Sequence, residues 1–406
     1  MQTMRVEKFL IHKSHPYYGM LDDFCFKSKN LYNYANYQIR QAFIKEEGER
    51  EYIGNSFKMM KMLRAEGSVD FKALPHSRCA EICVTVLDQN WRSFFASIKD
   101  WGKSPEKYKG KPNLPKYLPK DGRNTLTLDY KACKVRDGLV HFPKTFNGFT
   151  IPTLADNVQQ VRILPRKGHM VAEIVFKKEV PEQMEDNGKY VGIDIGLDNI
   201  AALTNNVGID SVIINGKPIK AINQLYNKEM AHYRSVAKRM NDKNWTKRMS
   251  DMTIKRDRRI EDILHNISKN IITYAVGCGA NTIIIGNNKR WKTDVDMGKV
   301  NNQKFVSIPH SRLINMIVYK AEDKGINVDI TEESYTSGTS FLDGEKPVKE
   351  CYDKSRRKYR GLFKSASGQR INADVNGSLQ IIKKVVPEAF NTGVEKVKIN
   401  PIKLTI

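Results

Sequence analysis

The stretch YVGIDIGLDNIAAL, Tyr190 to Leu203, decides the fold. Val191, Ile193 and Ile195 alternate along it, so they share one face of a strand and Asp194 projects from the other. A carboxylate in a buried strand is costly unless it is paired or metal-bound. Gly192 and Gly196 flank it and read as leaving room around the acid. Further along, NTIIIGNNKRWK, Asn281 to Lys292, sets three isoleucines between polar residues, the pattern of a strand buried on both faces in a parallel sheet. Such strands present catalysts and ligand-binding groups at their carboxyl ends. This one ends in Gly286, Asn287 and Asn288, with no acid, and runs on into Lys289, Arg290, Trp291 and Lys292.

Around these two strands the pattern is mixed. Hairpin-like strands (NIAALTN, SVIING), charged helices from about residue 222 to 276, a strand INVDIT and a helix after Asn372 predict an α/β sheet. The front half differs. Met4 to His12 reads as a strand, followed by a helix from about Leu21 to Glu47. A second helix, about Ser77 to Trp101, carries Ala80, Val84, Leu87, Trp91, Phe94, Phe95 and Ile98 at spacings of three and four, which predicts bundle core rather than a base-stacking platform. Lys103 to Arg123 mixes Pro, Gly, Lys and Tyr, and reads equally as a basic strap on a polyanion or a tight connector. Alternating segments after it, broken by RDG and RKG, predict a small antiparallel barrel or sheet. The helices would be an insertion between the first strand and this β segment.

Composition selects the partner. The 406 residues carry 68 Lys and Arg against 45 Asp and Glu, a formal charge of +23, and the cations interleave with aromatics. That points to nucleic acid. The densest run, KRDRR at 255–259, supplies Arg256, Arg258 and Arg259 as candidate phosphate contacts. No apolar run approaches the ~20 residues of a membrane span and the amino terminus lacks a signal peptide, so the sequence predicts an intracellular protein without membrane partners. Six scattered cysteines include no C-x-x-C pair, which argues against both a disulfide framework and a zinc site.

A second acid, Asp374, opens an amphipathic helix in RINADVNGSLQII, where Val375, Leu379 and Ile382 face inward. Alone it reads equally as a helix cap. With Asp194 it suggests oxygen ligands for Mg²⁺, which binds few carboxylates and leaves positions for substrate phosphate. Phosphodiester cleavage commonly uses two such ions about 3.5 to 4 Å apart, and a third acid is needed to hold them.

GIDIGLDNIAAL and INADVNGSLQI resemble the first and third RuvC motifs of TnpB, the insertion-sequence family of RNA-guided nucleases related to type V CRISPR effectors. The likeness continues through RSFFASIKDWGKSPEKYKGKPNLPKY, LHNISKNII and SYTS at Ser334 to Ser337. It implies an RNase H-like RuvC domain (187–337 and 371–390), a wedge β-barrel (1–16 and 104–186) with an inserted helical recognition domain (17–103), a target-binding insert (338–370) and a tail (391–406). It also implies a guide RNA, a DNA target beside a short flanking motif, two Mg²⁺ ions, and a prokaryotic, cytoplasmic and nucleoid-associated setting. Most relatives place a glutamate at the position of Gly286 and carry two C-x-x-C pairs after the SYTS-like motif. This chain has neither, so no zinc ribbon is expected.

The missing acid can come from the neighbouring strand. GINVDITEESYTS supplies Glu332 and Glu333, a placement found in one branch of TnpB-like proteins. Asn327, Asp329 and Thr331 share the polar face with Glu333, which favours it over Glu332 as the third ligand beside Asp194 and Asp374. The insert contributes KSRRKYRGLFK, with Arg356 and Arg357 as candidate DNA contacts. The function so predicted is an RNA-guided DNA endonuclease. The alternatives are a guided repressor that does not cut, motivated by Gly286, and a guide-independent resolvase or transposase.

Overall fold

The alternation at the amino terminus becomes strand β1 (Gln2–His12), which pairs antiparallel with β7 (His169–Glu179) over its whole length, Gln2 opposite Glu179 and His12 opposite His169. In the computed structural model, residues 1–44, 55–242, 244–287, 308–359, 361–391 and 397–406 are described, and they divide into two units, Gln2–Glu179 and Val180–Ile406 with Met1.

In the first unit, β2 (Leu126–Asp129) and β6 (Val158–Arg166) complete a four-stranded sheet in the order β1-β7-β6-β2. Three short strands, β3 (Lys134–Arg136), β4 (Leu139–His141) and β5 (Thr150–Pro152), form a second sheet. The RDG signal closes β3 onto β4, with Asp137 and Gly138 at φ of 50° and 69°, the left-handed pair that a two-residue hairpin turn requires.

Among the described residues, four α-helices lie between β1 and β2: α1 (Tyr18–Ile44), α2 (Ser56–Ala65), α3 (Val69–Lys72) and α4 (Ser77–Lys103). The stripe on α4 is core: Ala80, Val84, Leu87 and Trp91 are buried, and Phe94 and Phe95 cluster with Phe43 of α1. Trp91 donates its indole N–H to Asn36 Oδ1 at 3.0 Å, so the largest core ring buries no orphaned donor.

Past the end of α4, the chain first contacts α4 through Tyr108 and Lys111, and its stretch from Pro115 to Lys120 is laid along α1. Lys29, Asn33, Asn36 and Arg40, three or four residues apart on one face of α1, donate to the carbonyls of Lys120, Leu118 and Pro115. A proline-rich segment cannot satisfy its own carbonyls by forming a helix, and the helix side chains do so instead.

The second unit is built on a six-stranded mixed sheet in the order β12-β11-β8-β9-β10-β16. Its strands are β8 (Tyr190–Asp194), β9 (Asn199–Asn205), β10 (Val212–Asn215), β11 (Thr282–Gly286), β12 (Asn327–Thr331) and β16 (Ile402–Leu404). Strand β11 runs parallel to β8 on one side and β12 on the other, with Ile283 opposite both Val191 and Val328. All five residues of β11 are buried, as a strand covered on both faces must be.

Helices α6 (Lys247–Gly277) and α7 (His310–Glu322) cover one face through Leu264, Ile271, Leu313 and Ile317 against Val191, Ile193, Ile283 and Ile285. Helix α8 (Ala373–Val385) covers the other through Leu379, Ile381 and Ile382 against Ile284. Helix α5 (Lys217–Asn241) packs on α6. The charged stretch predicted from about 222 to 276 is therefore two helices, broken at Asp242, which takes φ of 47° at the carboxyl end of α5. Between β12 and α8 the chain forms a small antiparallel meander, β13 (Arg357–Tyr359), β14 (Leu362–Lys364) and β15 (Arg370–Asn372).

Candidate active site

At the carboxyl ends of β8, β11 and β12 a cleft of about 490 Å³ is lined by Asp194, Glu333 and Asp374, together with Asn199, Lys217, Thr336, Ser337, Arg357 and others. Each acid reaches it by a different route. Asp194 ends β8 on the face covered by α8, opposite the Val191–Ile193 face that packs under α6 and α7. Gly377 of α8 makes this possible: a Cβ there would stand 2.7 Å from Asp194 Oδ2. Gly192 does not serve to leave open room around the acid, the role the sequence suggested. Its missing Cβ lets α8 approach, since one would lie 2.5 Å from the carbonyl of Ser378 and 2.7 Å from Ile382. Gly196 likewise serves a tight turn, where a Cβ would stand 2.6 Å from the Asn199 carbonyl oxygen.

Asp374 is not the helix cap. Asn372 takes that role, its side chain accepting from the N–H groups of Asp374 and Val375. The Asp374 carboxylate is turned instead to Asn199, which donates to Oδ2 at 2.7 Å, and to Arg357, whose Nη2 stands 3.2 Å from Oδ1. Asn199 was not legible as a site residue, because an asparagine at the start of a strand carries no distinguishing signal.

Glu333 lies two residues past β12. Strand β12 is separated from β8 by β11, so the acid must cross the end of β11 to meet Asp194. It does so over Gly286. A Cβ at Gly286 would sit 2.6 Å from Glu333 Cγ, 2.8 Å from its Oε1 and 2.5 Å from Ile381 Cδ1. The glutamate side chain thus occupies the space that a side chain at position 286 would need. Its backbone is fixed by Thr336, which donates both its N–H and its hydroxyl to the Glu333 carbonyl, at 3.2 and 2.8 Å. Glu332 is exposed and accepts from Ser334 Oγ.

The acids sense one another. Burial, then the charges of Glu333 and Asp374, push Asp194 well above the usual carboxylate range, with Arg357 opposing. Burial pushes Glu333 up to about 7, moderated by the Lys384 ammonium. Both are held toward the neutral form, chiefly by burial.

Of the remaining candidates, Arg357 is at the cleft, whereas Arg356 is committed within the insert to Glu345 at 2.6 Å and to Asp353 and Asp343. Arg256 is held between α5 and α6 by Asn223, by Asp257 and over the ring of Tyr226. Arg258 and Arg259 are exposed. Lys289, Arg290, Trp291 and Lys292 lie outside the described residues. The insert is fastened to α8 by Asn376, fully buried, which accepts from the N–H of Phe341 and donates to the carbonyl of Thr339. Among the described residues no helix is long and apolar enough to cross a membrane.

The mixed sheet, with acids gathered at the end of β8, at the start of α8 and past β12, defines a mixed α/β unit with a carboxylate-lined cleft. Two family models match this unit and its approach: OrfB_IS605, described as a probable transposase, over residues 173–292, and the Cas12f1-like TNB domain over 310–381. A relative, the TnpB-like protein ORF457 of Acidianus two-tailed virus, is 23% identical across 90% of this chain and 83% of its own length.

Among solved structures, a Cas12f1–sgRNA–target DNA complex matches at 14% identity and TM-score 0.37, covering 93% of this chain and 98% of that one. CasPhi-2 (Cas12j) bound to crRNA matches at 9% identity and TM-score 0.44, covering 94% and 98%. Likenesses of that size say nothing of the chemistry. In sequence, then, the chain is similar to TnpB-type proteins.

Proposed function

We propose that this chain is an RNA-guided DNA endonuclease that cuts beside a short flanking motif at a RuvC-type site with two Mg²⁺ ions, held by Asp194, Glu333 and Asp374. The observation that carries the reading is the Glu333 side chain filling the space above Gly286 in the cleft that Asp194 and Asp374 also line. The donor set fits the ion: carboxylate oxygens alone suit Mg²⁺ rather than zinc, and three mutually repelling acids gain from a divalent cation between them. Among the described residues no three acid, histidine or cysteine side chains are already gathered around one point, so ligation requires side-chain rotation.

When bound, such a metal pair activates water and stabilises the leaving oxygen. The chain's own part is positional. Asn199 orients the Asp374 carboxylate, Gly377 admits Asp194, and Thr336 fixes the turn that carries Glu333. Arg357 and Lys217 supply positive charge at the cleft wall for a substrate phosphate. The proposed domain plan, with a wedge and helical recognition region before the nuclease domain, goes with this reading, as do the guide RNA and DNA partners.

A guided repressor that does not cut drew its motive from the absent acid at Gly286, and Glu333 removes that motive. The test is cleavage of a matched plasmid by the protein purified with its own RNA and supplied with Mg²⁺. Wild type is expected to cut and Asp194→Ala and Glu333→Ala to fail, with Glu332→Ala cutting normally. Guided binding without any product from wild type overturns the proposal.

A further inference from the structure

Adjoining the cleft-lining residues Glu333, Thr336 and Ser337 is a pair of aromatic rings that the cutting reaction does not use. Tyr335 lies between Glu333 and Thr336, its side chain 39% exposed and its backbone at φ of 70°. A left-handed conformation is unfavourable for a bulky side chain and persists only where neighbours over-determine it. Here they do. Glu333 accepts twice from Thr336, and Thr339 Oγ1 donates to the Tyr335 carbonyl at 2.9 Å.

The second ring, Tyr352, is also 39% exposed and meets Tyr335 edge to face, with centroids 5.8 Å apart and planes at 73°. It can do so because residue 338 is glycine: a Cβ there would stand 2.4 Å from Tyr352 Cε2. The pair is held further by the Asp353 N–H, which donates to the Gly338 carbonyl at 3.0 Å. Downstream of Tyr352, Lys354, Arg357 and Lys358 are exposed cations. Strain, a glycine that seats one ring, and a basic surround all maintain exposed aromatic faces on the segment that carries Glu333 and the cleft-lining Thr336 and Ser337.

We propose that Tyr335 and Tyr352 form a stacking platform for an unpaired base of the single strand entering the cleft, with the neighbouring cations holding its phosphates. Aromatic faces stack on any base, so the contact would position the strand without reading its sequence. The inference rests on the cleft taking nucleic acid, but not on its cutting.

The experiment uses the full chain carrying Asp194→Ala, in the absence of divalent metal, so that binding is read apart from cleavage. Its probes are fluorescent 12-mers of oligothymidine, oligouridine and an abasic strand of equal charge. Tyr335→Ala is expected to weaken binding of the base-bearing strands about tenfold and leave the abasic strand unchanged, while Tyr335→Phe retains the wild-type affinity. A larger effect on DNA or on RNA identifies which strand uses the platform. Equal losses for abasic and base-bearing probes, or no loss for either, overturn the proposal. Absence of plasmid cleavage by the wild-type chain, with the base-dependent difference intact, would sink the nuclease reading alone.

Discussion

The most discriminating perturbation adds a single methyl group. In Gly286→Ala the new Cβ would meet Ile381 Cδ1 at 2.5 Å and Glu333 Cγ at 2.6 Å, where ordinary contact begins at 3.4 Å. Something must yield by roughly 0.8 Å or more. Ile381 is fully buried between α8 and the sheet, so the glutamate, at the open cleft, is the group that moves. A displacement near 1 Å of a catalytic group costs about 100-fold in rate, and overpacking costs about 1 to 3 kcal/mol in stability.

Gly286→Ala should therefore cut about 100-fold more slowly under saturating guide and Mg²⁺, with only a modest fall in melting temperature. The same geometry makes positions 286 and 333 mutually exclusive sources of one carboxylate. Glu333→Ala alone and Gly286→Glu alone should both be impaired, and the double variant Gly286→Glu/Glu333→Ala should cut faster than either. Single-turnover cleavage of a matched duplex reads all four chains. If Gly286→Ala cuts at the wild-type rate, or if the double variant is no better than Glu333→Ala, the two side chains do not share a site.

Three further outcomes follow from the same coordinates. Glu333 is raised from 4.5 to about 7 and Asp194 is raised as well, so folding favours their protonated forms; in metal-free buffer that stability is present at low pH and lost as pH climbs toward 7, by about 3 kcal/mol from Glu333 at ~1.4 kcal/mol per tenfold. Melting in EDTA at pH 5 and pH 8 should show this loss, reduced in Glu333→Gln and offset by Mg²⁺ in wild type; a Glu333→Gln chain with an undiminished pH difference refutes it. Asn376→Ala strands the Phe341 N–H and the Thr339 carbonyl in the core, at about 1 to 3 kcal/mol each, and limited proteolysis should cut within 338–370 faster than in wild type. Arg256→Ala should destabilise the α5–α6 pair with little effect on the salt dependence of DNA binding, whereas Arg258→Ala with Arg259→Ala should lower that slope by up to about 2 and leave stability unchanged.

The sequence carried some of this directly. Period-two alternation in Tyr190–Asp194 and the unbroken TIIIG run specify buried strands and put Asp194 opposite the aliphatic face, because strand geometry is local. The regular stripe on α4 specified core for the same reason. Other features resisted it. In Lys103–Arg123 the carbonyls of Pro115, Leu118 and Lys120 find their donors on α1, a pairing that local sequence does not show. Arg256 and Arg356, exposed by their charge alone, are committed to partners that no local pattern reveals.

By itself, then, the chain determined that Asp194 lies on a strand opposite its aliphatic face, that Asp374 opens a helix and that two glutamates follow a strand, since side-chain parity and helix periodicity depend only on near neighbours. Which glutamate enters the cleft was decided by the tertiary structure. Past the end of β12 parity lapses, and the outcome is set by the Thr336 turn and by an empty Cβ position on β11, a strand nearly fifty residues away in sequence that only folding brings alongside.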